Sequence, residues 1–268
     1  MNSRIQFSIL IQKNYSDFQY KMEQSKLFQL QEKLSENIVN SYIFDTKNQI
    51  NNAEIAVYQD NINKLKNMGK TYKNVFQEKL FTDTYRIFEE YLKDIFSSIF
   101  VVFPFFLTKK NKEEDSITEE ISVPFKLIFT NESNIQVYKD LFIANRVKIY
   151  LQGDNIMKIL GRFETTFNLQ LTITDDEKIE CQKTALLRNI IAHNNSTINE
   201  IYLASIDKFK IKNNVYKLGN SVLSNLEVEI NDARSILVNL ANKINANLVA
   251  DNNFKALENF NNSKLNIL

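Results

Sequence analysis

The chain is short of the residues on which much protein chemistry depends. Its 268 residues include one cysteine, one histidine, no tryptophan, four glycines and two prolines. A lone Cys181 excludes an intrachain disulfide and a thiolate cluster for zinc, and suits a reducing compartment. With one imidazole and one thiol, a His/Cys metal site within one chain is not expected. A site made of carboxylates alone stays open; the reading taken here is no metal and no cofactor. Scarce glycine and proline mean few tight turns, so long helices joined by polar loops fit better than hairpins. Long apolar runs are missing too. The most apolar, "IFSSIFVVFPFFL" (Ile95 to Leu107), is too short for a membrane span and carries Ser97, Ser98 and Pro104. It reads as a buried helix. The N-terminal "MNSRIQFSILIQKNYSDFQY" has no apolar core of a secretory leader. The expected location is cytoplasmic, with no membrane partner. Lys and Arg total 33 and Asp and Glu 32, a net charge of +1, so no global basic field announces nucleic acid.

What is present is helical patterning. From about Tyr15 to Tyr72 the chain is polar and helix-permissive. Phe18, Met22, Leu27, Leu30, Leu34 and Ile38 form a thin stripe, and a second helix is expected over about Lys47 to Asn67. The strongest helix is "LFTDTYRIFEEYLKDIFSSIF". Phe81, Tyr85, Phe88, Leu92, Ile95 and Ile99 alternate in steps of four and three, and Pro104 ends the helix. A charged run, "TKKNKEEDSITEE", reads as a loop, and "VPFKLIFTNES" as a short strand or helix. "IQVYKDLFIANRVKIYLQG" is helical with Gly153 as a C-terminal cap, and "DNIMKILGRFETTFNL" follows with Ile156, Leu160, Phe163 and Phe167 on one face. Three capping boxes open later helices: Thr174/Glu177, Thr197/Glu200 and Ser224/Glu227. A loop or small hairpin is expected around Gly219. The expected organisation is an N-terminal helical extension over 1–78, a helical bundle over 79–250 and a polar, fraying tail over 251–268. The fold class is all-α, with one small hairpin at most.

The single histidine lies in "LLRNIIAHNN", five residues after Arg188, one of six arginines. Leu186, Ile190 and His193 follow one another at i, i+4 and i+7, so His193 should continue an apolar stripe to its mouth. Asn189 sits one turn below His193. Arg188 starts on a neighbouring face and has the length to reach round. An arginine, an imidazole and an amide can thus converge on a phosphate-sized spot. That set suits RNA cleavage by its own 2′-hydroxyl. The hydroxyl loses a proton and the leaving 5′-oxygen gains one, and an imidazole ordinarily titrates near neutrality. A guanidinium donates fixed hydrogen bonds to phosphate oxygens as charge builds.

"RNIIAH" resembles the R-x4-H signature of HEPN (higher eukaryotes and prokaryotes nucleotide-binding) domains. The context is similar too: the aromatic-rich "YRIFEEYLKDIF" precedes it, and "RNIIAHNN…NEIYL" leads through a "YKLG"-like turn to a long last helix. The resemblance covers roughly Leu80 to Leu248 and leaves out the N-terminal helices. It implies a helical bundle that usually dimerises, with two motifs across one composite site. It also implies a metal-independent ribonuclease of toxin–antitoxin or antiviral defence systems. Arg188 would bind phosphate, His193 would be the acid/base, and Asn189 would orient the imidazole or contact RNA. If cleavage uses two imidazoles, the second must come from another protomer or another protein. Asn195 stands where nucleotidylation-regulated relatives carry tyrosine, and Ser196 where close relatives often carry glycine. Neither change touches the arginine or the histidine.

Each residue has a plainer reading. A lone histidine at a helix end can simply complement the dipole. Glu90 and Asp94, at i and i+4 on the aromatic helix, can orient Arg188 or His193, or form a solvated acidic face. Tyr91 and Tyr202 can stack on bases or pack. Lys208, Lys210 and Lys212, with Asn194, form the best local patch for an RNA backbone, or a solubilising loop. Two function classes follow. One is a homodimeric, metal-independent endoribonuclease acting as a toxin or antiviral effector. The other is a non-catalytic module that binds RNA or a partner such as an antitoxin or sensor protein.

Overall fold

The computed structural model describes residues 3–45, 60, 72–108, 135–151, 156–211 and 216–265. Among them the fold is all-α. Eight α-helices run α1 (Ser3–Asp45), α2 (Tyr72–Val102), α3 (Ile135–Leu151), α4 (Ile156–Phe167), α5 (Asp175–His193), α6 (Glu200–Lys208), α7 (Leu226–Val249) and α8 (Asp251–Leu265). Two 3-10 segments, Pro104–Thr108 and Val222–Asn225, complete the description. The one β pairing among the described residues is an isolated antiparallel bridge, Thr197 to Ser221, where a small hairpin was expected. No helix among them is long and apolar enough to cross a membrane. The expected helix at Lys47 to Asn67, the segment "VPFKLIFTNES" and the Gly153 cap lie outside the described residues, residue 60 apart.

The chain divides into two compact units, each built from separated segments. The first comprises residues 1–18, 88–178 and 239–268. Its core is a phenylalanine cluster. α2 turns Phe96 onto Phe163 and Phe167 of α4, with ring centroids 4.7 and 5.5 Å apart. Phe7 of α1 meets Phe103 edge-on at 5.2 Å, and Phe254 of α8 lies 5.6 Å from Phe103. Offset and edge-on geometries of this kind suit the ring quadrupole and add to the free energy of burial. α2 stops because Pro104 has no N–H to continue the ladder, and the chain tightens into a 3-10 turn there.

α8 corrects the expectation of a fraying tail. Its asparagine-rich sequence is ordered because Phe254 and Leu257 are buried and Phe260 stacks on Phe106 at 4.3 Å. Asn261 is buried and its Oδ1 accepts the Phe105 N–H at 3.1 Å, so even its polar face is used.

The start of α5 also belongs to this unit. The first capping box forms as expected: the Thr174 N–H donates to Glu177 Oε2 at 2.7 Å, and the Glu177 N–H to Thr174 Oγ1 at 3.3 Å. Lys243 Nζ and Asn239 Nδ2 donate to the same carboxylate, each at 2.6 Å.

The second unit comprises residues 19–87 and 179–238. Its core joins Leu80 and Phe81 of α2 to Leu187, Ile190 and Ile191 of α5, Tyr202 and Ile206 of α6, and Leu226 and Ile230 of α7. α1 brings buried Met22 to this unit, and then polar groups. Ser25 Oγ lies 3.3 Å from Thr84 Oγ1, and Gln29 Oε1 accepts from Arg234 at 3.0 Å. The α1 stripe expected from the sequence is therefore half correct. Phe18 and Met22 are buried, but Leu27, Leu30 and Leu34 are exposed, because the buried line passes through Ser25 and Gln29 instead. The side chain of Ile38 lies outside the described residues.

The other two capping boxes do not form. Asn199, not Thr197, caps α6, its Oδ1 accepting the Tyr202 N–H at 2.8 Å, because Thr197 is taken up by the bridge to Ser221. Ser221, not Ser224, caps the 3-10 turn that precedes α7, and Glu227 pairs with Lys33.

Two outcomes are expected. Phe96→Ala should cost about 3–5 kcal/mol by the cavity it leaves, measured as a lower urea midpoint. The hydrogen bond from Lys243 holds the Glu177 carboxyl at about 2 against an ordinary 4.5. Its folded value lies below its unfolded one. The stabilisation is therefore complete above about pH 4.5 and is lost as the pH falls towards 2. Glu177→Gln should flatten the acid limb of stability across that window in urea titrations.

Candidate functional site at the end of α5

The motif occupies the last turns of α5, inside the second unit. Five residues separate Arg188 from His193, about 140° around the helix and about 7.5 Å along it. Leu187, Ile190 and Ile191 face the core. The expectation that His193 continues the apolar line is corrected here. Leu186 is half-buried and His193 is exposed, so the imidazole stands on the rim of the buried face, beside exposed Asn189. Among the described residues His193 has no hydrogen-bond partner. It is the last residue of the helix.

Arg188 is held from two sides. Its guanidinium carbon lies 5.6 Å from the centre of the Tyr85 ring on α2, within cation–π range. Its Nη1 donates to Asn189 Oδ1 at 3.3 Å. Asn189 thus touches the arginine, whereas the resemblance assigned it to the imidazole or to RNA. The effect is to turn the guanidinium towards the side of α5 that carries His193.

The helix then ends unusually. Asn194 N–H still bonds to the Ile190 carbonyl at 3.0 Å, and the same carbonyl accepts the Ser196 N–H at 3.2 Å. Asn195 and Ser196 both adopt left-handed backbone, with φ of 49° and 59°. The Thr197 N–H closes on the Asn194 carbonyl at 2.9 Å, giving a turn with two consecutive positive φ values, the signature of type I′. Asparagine enters this region readily; serine does so at a cost of about 1–3 kcal/mol unless its surroundings fix it. They do. Ser196 is fully buried, and its carbonyl accepts the Val222 N–H at 2.9 Å. Its hydroxyl donates to Glu78 Oε1 of α2. Asn194 closes the same turn through its side chain, which donates to the Thr197 carbonyl.

The segment that receives this turn is itself a turn. Lys217 to Asn220 closes with a 3.0 Å bond, and Gly219 has the positive φ of 78° that the third position of a type II turn requires. Beside the Thr197–Ser221 bridge, the Ile198 N–H donates to the Asn220 carbonyl and the Ile198 carbonyl accepts the Gly219 N–H, each at 2.9 Å.

Behind the motif lies a buried ionic network. Lys183 of α5 pairs with Glu229 of α7 at 2.8 Å, with the carboxylate side chain 5% exposed. Tyr216 Oη donates to Glu229 at 2.6 Å and Asn225 Nδ2 at 3.1 Å. Burial, and after it the Glu229 charge, pushes the Tyr216 and Tyr202 phenols well above the ordinary 10. Tyr202 is buried against Tyr216, and Tyr91 is buried in the first unit, so neither is placed to stack on a base. Cys181 is buried on α5, its thiol pushed up to about 12, and is no nucleophile at neutral pH.

The other sequence candidates fall in different places. Glu90 and Asp94 belong to the first unit; Glu90 is half-buried, Asp94 is exposed, and the Asp94 carbonyl accepts from Asn14 at 3.1 Å. Lys208 closes α6 instead of lying in a loop, with its ammonium 5.6 Å from the Phe209 ring centre. Lys210 follows in left-handed backbone and is exposed, and Lys212 lies outside the described residues. Among the described residues no group of three or more His, Cys, Asp or Glu side chains is placed to hold a metal ion. The sequence reading missed Tyr85 as the Arg188 platform and Glu78 as the Ser196 acceptor. Their two-turn spacing on α2 was the one available signal.

Comparison with known proteins finds no family model, no curated protein and no solved structure that matches the chain.

The buried pair gives a direct test of how firmly α5 is anchored. Lys183→Met should cost about 3–5 kcal/mol, because it leaves a buried carboxylate without its cation. Equilibrium urea unfolding measures it, and Glu229→Gln combined with Lys183→Met should recover part of the loss.

Proposed function

We propose that the chain is a metal-independent endoribonuclease of the HEPN type, acting as a homodimer in the cytoplasm as a toxin or antiviral effector. One observation carries the reading. Tyr85 and Asn189 hold the Arg188 guanidinium on the shoulder of α5, one face away from an exposed His193. A phosphate at that rim meets a fixed cation and an imidazole together. The imidazole takes the proton of the 2′-hydroxyl, and the 2′-oxygen forms a bond to phosphorus. The bond to the 5′-oxygen breaks, that oxygen leaves with a proton, and a 2′,3′-cyclic phosphate remains. Arg188 stabilises the charge that builds on the non-bridging oxygens. Because each chain carries one histidine, a second imidazole comes from the second protomer. Lys208 and Lys210 supply exposed positive charge for the RNA backbone.

The single imidazole also favours a second reading, a module that binds RNA or a partner protein without cutting. The experiment is RNA cleavage by purified protein in EDTA, comparing wild type with His193→Ala and Arg188→Ala and identifying the product ends. The ribonuclease is expected to leave 2′,3′-cyclic phosphate ends, with each variant slower by about 100-fold or more. Cleavage that survives His193→Ala overturns the assignment. RNA retained by wild type but not cut, with retention weakened in Arg188→Ala, establishes the binding module.

A further inference from the structure

We propose that Glu78 is a positioning residue for His193, acting through the Ser196 hydroxyl, and that one face of α2 sets the separation of the two motif ends. The inference rests on the reading that Arg188 and His193 work as a pair.

Glu78 and Tyr85 are two turns apart on α2, on one face, about 10 Å along the axis. Tyr85 lies under the Arg188 guanidinium. Glu78 accepts the hydroxyl of Ser196, 118 residues further along the chain. α2 and the end of α5 therefore meet in antiparallel order: the later residue of α2 holds the earlier residue of the motif, and the earlier one holds the turn that follows it. Between the two points the contact is apolar, with Phe81 in the same core as Ile190 and Ile191.

The Ser196 bond matters because of where it is made. His193 is the last helical residue, and the backbone leaves the helix through two left-handed residues. A left-handed serine has nearby alternatives with negative φ. In those the turn opens and the last helical turn frays, carrying the imidazole with it. Three hydrogen bonds select the observed state, two from backbone groups and one from Glu78. The Glu78 bond alone depends on a side chain at each end, so it can be removed without deleting a backbone group. Glycine at 196 would adopt the same backbone freely but has no hydroxyl to give.

The lone histidine makes the test clean, since the protein has one set of imidazole signals. Ring proton and carbon shifts of His193 would be recorded by NMR for wild type, Glu78→Ala, Glu78→Gln and Ser196→Gly, with RNA cleavage measured alongside. Glu78→Ala and Ser196→Gly are expected to shift and broaden the ring signals, and to slow cleavage about 10- to 100-fold with wild-type product ends. Glu78→Gln keeps an acceptor oxygen in place and is expected to restore both. If Glu78→Ala does not fold, Ser196→Gly and Glu78→Gln carry the comparison. Ring signals unchanged in Ser196→Gly overturn the proposal. So does a Glu78→Gln spectrum that moves as far as Glu78→Ala, which would mean that charge and not the hydrogen bond is responsible. The ribonuclease reading fails separately. A wild type that cuts no RNA, with ring signals that still follow the Ser196 bond, removes the enzyme and keeps the positioning role.

Discussion

A buried serine in left-handed backbone is the constraint on which the end of α5 depends. Ser196 has no room to relax and has a partner for its N–H, its carbonyl and its hydroxyl. Such a residue stores strain that only its neighbours can hold. The neighbours here are Ile190, six residues before, and Val222 and Glu78, which are more remote in sequence. The turn is fixed by the tertiary fold and not by its own residue preferences. The same three contacts bring the Lys217–Asn220 turn against the motif and tie α2 to it. His193 occupies an exposed position between the last turn of α5 and the turn that follows it.

Electrostatics arrange the two faces of α5 differently. On the core side Lys183 meets a carboxylate that is almost fully buried, and two tyrosines crowd the same charge. Burial and that charge keep both phenols protonated across the neutral range, so that side is a scaffold. On the rim Arg188 keeps its guanidinium partly open over an aromatic ring, and His193 meets solvent. An arginine resting on a ring loses little freedom when a phosphate arrives, because its plane is already set. The rim is open to solvent, and the buried network lies on the opposite, core side of the same helix.

Local periodicity revealed much of this. The α2 stripe from Phe81 to Ile99 is buried throughout, the Thr174/Glu177 cap forms, and α5 ends at His193, as the sequence pattern indicates. Those features depend on residues a few positions apart. The failures share the opposite property. Thr197 and Ser224 match a capping pattern, but long-range pairing of Thr197 and an earlier cap at Ser221 displace them. Leu27, Leu30 and Leu34 look like core, but polar partners on α2 and α7 draw Ser25 and Gln29 inward instead. α8 looks like a tail until Phe106 meets Phe260. Within the candidate site, the pairing of Arg188 and His193 on one helix was legible because it is local. Glu78 and Tyr85 were not, because nothing local ties them to it.

The way the second unit is assembled bears on how the protein is made. Its parts come from 19–87 and 179–238, and its ties include Gln29 to Arg234, 205 residues apart. Contacts of such span close late, because a long loop must be gathered before they form. On the ribosome, α1 and α2 emerge long before the strap around Ser196 and the acidic anchor on α7. Until Val238 has cleared the exit tunnel, α2 offers Glu78 and Tyr85 to partners not yet synthesised. Any chain cut short of that point lacks the means to hold the motif in place, so the motif is held only once both segments of the unit have been made.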